Sequence, residues 1–341
     1  MASIVSVITS LIVIKIAPRF GLIDDPTISK HPAKLHKNPV PRGGGIVFWM
    51  SIVPVMLFFL PAQTKFLGIA AGLTLAAIVG TLDDKFNINP YWRLVLNFIT
   101  AAVIVVFGVG IAFITNPLDG IVRLDTIRLT VGNNFQILPV AAGFALFWIV
   151  FVANMINWSS GVDGQIPGIV IITAIILALL AGRFASFDPS QIQLIKLALI
   201  LSGSAAGFLI FHWHPAKIFP GYGVTVWGIT IATLAILAGA KVATAILILA
   251  LPVADGIVSI TRRILAGRSP VWADRGHLHH LLLARGLTQP QIALLYWTIT
   301  GVLGYFALNL SSSAKAFAIV LIIILVTGAV LWLNLILTEK K

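Results

Sequence analysis

The chain has 341 residues, of which 59% are hydrophobic and only 10% charged, and its mean hydropathy is +1.02. A soluble globular domain is nearer half apolar and a quarter charged, so the composition excludes a water-soluble protein and makes lipid the solvent. The formal charge of +12 leaves nucleic acid, anionic lipid and phosphate-bearing substrates open as partners, and the lack of cysteine excludes disulfides and thiolate metal sites.

A helix needs roughly 17–25 apolar residues to cross about 30 Å of hydrocarbon. Eleven such runs are predicted: 2–18, 45–61, 66–82, 94–113, 137–153, 166–182, 194–211, 223–239, 242–261, 291–309 and 316–337. They are continuous and lack period-two alternation, which makes them helices and not the strands of a barrel. The expected fold is therefore an all-α polytopic membrane protein of ten or eleven spans, forming a single domain over 1–341. The first run has no basic segment before it and no small-residue cleavage site, so it is expected to stay as a span. Residues 119–136, "DGIVRLDTIRLTVGNNFQ", alternate apolar and polar around "GNN" and are predicted to form one short β-hairpin on the outer face.

Lysine and arginine set the orientation. Fifteen fall in 19–44, 83–93, 217, 262–290 and the C-terminal pair, against six on the opposite side. The basic side is cytoplasmic by this rule, which places the N terminus outside and the C terminus inside. All seven histidines and seven of the aspartates, Asp83, Asp84, Asp163 and Asp255 among them, fall on that same face. The spans are nearly free of ionisable groups, unlike a transporter with midplane carboxylates. Chemistry is expected at the inner surface.

Five polar segments carry it. "GTLDDKF" (80–86) puts Asp83 and Asp84 side by side at a helix end, where two carboxylates repel unless a cation is present. "NMINWSSGVDGQIPG" places Asn154 and Asn157 on one helical face and Asp163 between glycines that let backbone approach a ligand. "HWHPAKIFPGYG" combines Lys217 with two prolines and two glycines. "RRILAGRSPVWADRGHLHH" gathers Arg275, His277, His279 and His280, groups suited to a diphosphate. "DDPTISKHPAKLHKNPVPRGGG" supplies Lys34, His36 and Arg42 ahead of three glycines.

In this order and spacing, the five blocks resemble the polyprenyl-phosphate N-acetylhexosamine-1-phosphate transferases, over about residues 20–290. "GTLDDKFNINPYWRLVLN" is similar to the family's G-x-x-D-D block, and "ADRGHLHH" to its D-R-x-H-x-H-H, the form found in the N-acetylglucosamine-phosphate branch. The resemblance implies transfer of a sugar-1-phosphate from a UDP-sugar to a membrane polyprenyl phosphate, releasing UMP, as the first step of cell-wall or surface-polysaccharide synthesis. It implies a multi-pass protein of the plasma membrane with its active site on the cytoplasmic face, no nucleic-acid partner, and an oligomeric state for which a homodimer is compatible. Asp83 or Asp84 would engage the acceptor phosphate or act as base. Asp163 and Asn157 would help hold nucleotide or metal. Lys34, His36, Arg42, Asn154, Lys217, Arg275 and the three histidines would bind substrate. A magnesium ion is expected at Asp163 and Asp83.

Two departures stand out. Ser160 occupies a position where the family carries an acid, and Tyr222, in "FPGYG", occupies that of a metal-binding aspartate. A phenol is a poor magnesium ligand at neutral pH. Reduced magnesium dependence is therefore expected; the alternative is a protein that binds lipid phosphate or nucleotide without turnover.

Overall fold

The computed structural model describes residues 1–27, 36, 38–116, 120–131, 135–239, 242–272 and 276–338. Its helices are α1 (Ala2–Ile16), α2 (Gly44–Phe59), α3 (Thr64–Phe86), α4 (Pro90–Val106), α5 (Pro139–Trp158), α6 (Gln165–Gly182), α7 (Gln191–His212), α8 (Thr225–Leu237), α9 (Val242–Ile248), α10 (Ala250–Leu265), α11 (Leu278–Ala284), α12 (Gln289–Asn309) and α13 (Ser312–Thr338). Every predicted apolar run holds a helix, and the protein is an all-α polytopic membrane protein.

Length separates these helices. Among the described residues, seven are long and apolar enough to cross a membrane: Ala2–Phe20 and α3, α5, α6, α7, α12 and α13. Three apolar helices are shorter: α2, α4 and the segment Gly221–Leu237. The ninth run, expected as one span, is α9 and α10 bent by 85°. Pro252 accounts for the break, because its ring lacks an N–H and collides with the carbonyl four residues back, at Ile248. By length alone there are seven spans, or eight with the bent pair, against ten or eleven predicted. Helix α11, inside the basic loop, was not predicted.

The segment around 113–137 also differs from the expected single hairpin. Two hairpins form, β3 (Phe113–Thr115) with β4 (Ile121–Arg123), and β5 (Leu129–Val131) with β6 (Phe135–Ile137). Helix α4 stops at Val106, before Gly108 at φ +94°, which releases Phe113 to pair with Arg123.

Helix α8 is apolar all round and buried from Thr225 to Ile236, so it forms the centre of the bundle. It packs closely on α5: a Cβ added at Gly228 would lie 2.7 Å from the Ala153 Cα. Small residues allow such approaches between helices that share no hydrophobic drive in lipid. Buried polar contacts tie four helices together. Ser51 of α2 and Ser204 of α7 share a hydrogen bond of 2.7 Å, Trp227 Nε1 of α8 donates to Ser204 Oγ, and Ser6 Oγ of α1 donates to the Ser204 carbonyl.

Candidate active site

The helix ends converge on a cavity of about 660 Å³ where α3, α5, α7 and α10 finish and α6, α8 and α12 begin. The carboxylate pair sits in the last turn of α3, with Asp83 5% and Asp84 6% exposed. Arg93 Nη1 donates to Asp83 Oδ2 at 3.4 Å, and the Tyr222 N–H donates to Asp84 Oδ1 at 3.0 Å. The second contact requires glycine at 221: its φ is +56°, and an added Cβ would fall 2.1 Å from Asp84 Oδ1. Asp83 Oδ1 and Asp84 Oδ2 are buried with no hydrogen-bond partner among the described residues. These are the lone pairs a cation or a proton would find.

Asp163 caps the far side. Its Oδ2 lies 2.8 Å from His214 Nδ1 and accepts the Ala216 N–H at 3.1 Å, while its own N–H donates to Gln289 Oε1. The next amide, Gly164 N–H, donates to His212 Nδ1, which fixes the glycine turn to the end of α7. The N-terminal block enters through a two-residue pairing of β1 (Ile23–Asp24) with β2 (Val40–Pro41). That pairing sets Arg42 Nη2 2.5 Å from Asp24 Oδ2 and His36 Nε2 3.1 Å from the Asp24 carbonyl. Phe219 N–H donates to the Pro41 carbonyl, so this strand and the loop after α7 share one wall.

On the last side, Asp255 in α10 receives His277 Nδ1 at 2.8 Å and the Leu278 N–H at 2.7 Å. Arg263 Nη2 lies 3.2 Å from His277 Nε2, and its guanidinium sits 5.3 Å over the Trp158 ring. His279 stacks parallel to His277 at 5.6 Å and lies 4.3 Å from the His280 ring. Burial, with the two neighbouring imidazoles, pushes the His279 pKa well below the usual histidine value. The shift favours the neutral imidazole, which can hydrogen-bond a phosphate oxygen.

A model described as Glycosyl transferase family 4 matches residues 66–239, just over half of the chain and the stretch that holds Asp83, Asp84, Asp163 and Tyr222. The chain belongs to glycosyl transferase family 4. A Bacillus subtilis (strain 168) protein named "Probable undecaprenyl-phosphate N-acetylglucosaminyl 1-phosphate transferase" is 29% identical over 339 residues, covering 96% of this chain and 88% of its own length. A Mycolicibacterium smegmatis decaprenyl-phosphate N-acetylglucosaminephosphotransferase is 27% identical, covering 86% of this chain and 76% of its own. An Escherichia coli K12 undecaprenyl-phosphate alpha-N-acetylglucosaminyl 1-phosphate transferase is 24% identical, covering 82% and 74%.

Within this glycosyl transferase, Asp83, Asp84, Asp163, His36, Arg42, Asn154, Asn157, His277, His279 and His280 all line the one cavity. Lys217 is exposed and does not line it; its main chain closes the turn after α7 by bonding to the Phe211 carbonyl. Lys34 and Arg275 lie outside the described residues. The sequence reading left Asp24, Arg93, His212, His214, Asp255 and Arg263 out of the site. Asp255 carried a usable signal, a lone carboxylate inside an apolar run, where an ion is expensive unless it has a task.

The magnesium ion that the family resemblance implies does not find its expected ligands together. Among the described residues, no group of three or more His, Cys, Asp or Glu side chains is arranged so that it could hold a metal ion. Asp163 Oδ2 is taken by His214 and Ala216, Asp83 Oδ2 is shared with Arg93, and position 222 presents a phenol whose oxygen accepts the Asn97 Nδ2–H at 2.9 Å. This donor set does not fit the expected site.

Proposed function

We propose that the chain transfers N-acetylglucosamine 1-phosphate from a UDP-sugar to a polyprenyl phosphate and releases UMP, working at the cytoplasmic face of the plasma membrane. The observation that carries the reading is the pair of buried carboxylate oxygens without a partner among the described residues, in a cavity ringed by Arg42, Arg93 and Arg263, at one end of a lipid-spanning bundle. A membrane phosphate acceptor reaches such a place from the bilayer, and a nucleotide donor reaches it from water. The names of three relatives across most of their length point the same way.

Phosphoryl transfer is chiefly positioning and charge neutralisation. Asp84 is the better base of the pair, since its one committed oxygen takes a backbone amide while Asp83 shares its own with a guanidinium. Asp84 Oδ2 takes the remaining proton of the acceptor phosphate, whose second pKa is near 6. The freed acceptor oxygen attacks the β-phosphorus of the UDP-sugar. The bond from that phosphorus to the bridging oxygen breaks, and UMP leaves with the electron pair. The product is a polyprenyl diphosphate sugar. Arg42 and Arg263, each already anchored, receive phosphate oxygens by charge-assisted hydrogen bonds.

The test is transfer from radiolabelled UDP-N-acetylglucosamine to undecaprenyl phosphate by the purified protein in detergent. Label is expected in the lipid phase with UMP released one for one. Asp84→Asn should lower kcat by about 100-fold or more, the worth of a positioned base. Absence of transfer with any UDP-N-acetylhexosamine, with and without magnesium, would overturn the reading.

A further inference from the structure

We propose that Arg93, held by Tyr222, supplies in this chain the positive charge expected of a divalent ion, so that sugar-phosphate transfer proceeds without a bound metal. The inference rests on the reaction proposed above and concerns the same cavity.

Tyr222 is held at both ends by one helix. Its hydroxyl accepts the Asn97 amide at 2.9 Å, and its ring lies 5.2 Å beneath the Arg93 guanidinium. Asn97 and Arg93 are four residues apart on α4, hence on one face of it. The phenol oxygen is therefore committed to α4 and not offered to a ligand of the carboxylates. What the ring does instead is fix the guanidinium. Arg93 reaches Asp83 Oδ2 at 3.4 Å, its side chain is only 25% exposed, and it lines the cavity.

Chemistry makes the exchange workable. A guanidinium keeps its charge at every working pH, and its planar fork matches two phosphate oxygens at once. An aromatic face beneath it fixes its plane without taking up its N–H donors. In the displacement, charge spreads over the equatorial oxygens of the transferred phosphoryl group and the departing UMP oxygen, where a fixed cation is most effective. Arg93 stands beside the carboxylate pair at which that group must dock. A guanidinium at this distance also repels a second cation at the same two carboxylates, which works against magnesium there. Arg93 is thus the catalytic cation, and Tyr222 positions it.

Two measurements on the purified protein in detergent test this. One follows the electron paramagnetic resonance signal of free Mn²⁺ as protein is added, and the other follows label transfer in EDTA. Wild type is expected to leave the free Mn²⁺ signal unchanged and to keep its transfer rate in EDTA within a few-fold. Arg93→Gln should lose about 100-fold or more in kcat, comparable to removing an oxyanion donor. Tyr222→Asp should take up one Mn²⁺ per chain and become sensitive to EDTA, a change that mere damage to the fold would not produce. Should that variant fail to fold, the wild-type measurements decide alone. One Mn²⁺ bound per wild-type chain, or transfer abolished by EDTA and restored by magnesium, would overturn the proposal while leaving the reaction standing. No transfer under any metal condition would sink the reaction itself.

Discussion

His279 is buried between two other imidazoles, and that position has a thermodynamic consequence. Its folded pKa lies well below 6.5, the ordinary value that the unfolded chain regains. Below that pH the unfolded state binds a proton that the folded state refuses, so stability falls as the solution is acidified. The contribution is complete above about pH 6.5 and is lost at about 1.4 kcal/mol per pH unit beneath it, until the folded pKa is reached. The thermal midpoint in detergent should therefore drop between neutral and mildly acidic buffer, and His279→Gln should shrink that drop. An identical drop in the variant would show that the ring is not held neutral. The sequence made the histidine cluster conspicuous but not its charge state, because part of the burial comes from the glycine turn at 161, far away in the chain. The same distance hid the role of Asp255: nothing local announces that it will hold His277 Nδ1 across 22 residues.

At the scale of elements, apolar run length located every helix but α11, since lipid forces backbone groups to bond within the segment. Where a predicted run was interrupted, a proline or a glycine was responsible. Pro252 broke the ninth run, and the glycines after α4 ended the fourth early, leaving its last residue, Phe113, to a strand. Contacts between helices were not legible, because serines in apolar helices look alike until their partners are known. Ser204 is one such serine. It meets Ser51, Ser6 and Trp227 at a buried junction of α1, α2, α7 and α8. Ser204→Ala removes a hydroxyl that the Trp227 N–H and Ser51 both use, leaving a buried donor unpaired at a cost of about 1–2 kcal/mol. Its thermal midpoint should fall while transfer per folded molecule stays unchanged, because the junction lies away from the cavity lining. A wild-type midpoint would show that the serine contacts carry no stability.

The whole molecule turns on direction. Five separated polar blocks meet in one cavity because the helices alternate, so every second connection returns to the same end of the bundle. That convergence was readable from charge alone, since the basic residues and the histidines already segregated by loop. Which end faces the cytoplasm is a claim of the positive-inside rule, and the chain offers a clean way to read it, having no cysteine of its own. Ser186, in the turn after α6, and Arg268, in the loop after α10, are both exposed and belong to opposite ends. Single cysteines are introduced at these positions and treated with a membrane-impermeant maleimide on intact spheroplasts. Ser186→Cys should label, and Arg268→Cys should label only after the membrane is opened. The reverse pattern would put the cavity outside, away from any cytoplasmic nucleotide donor, and the proposed reaction could not stand with it.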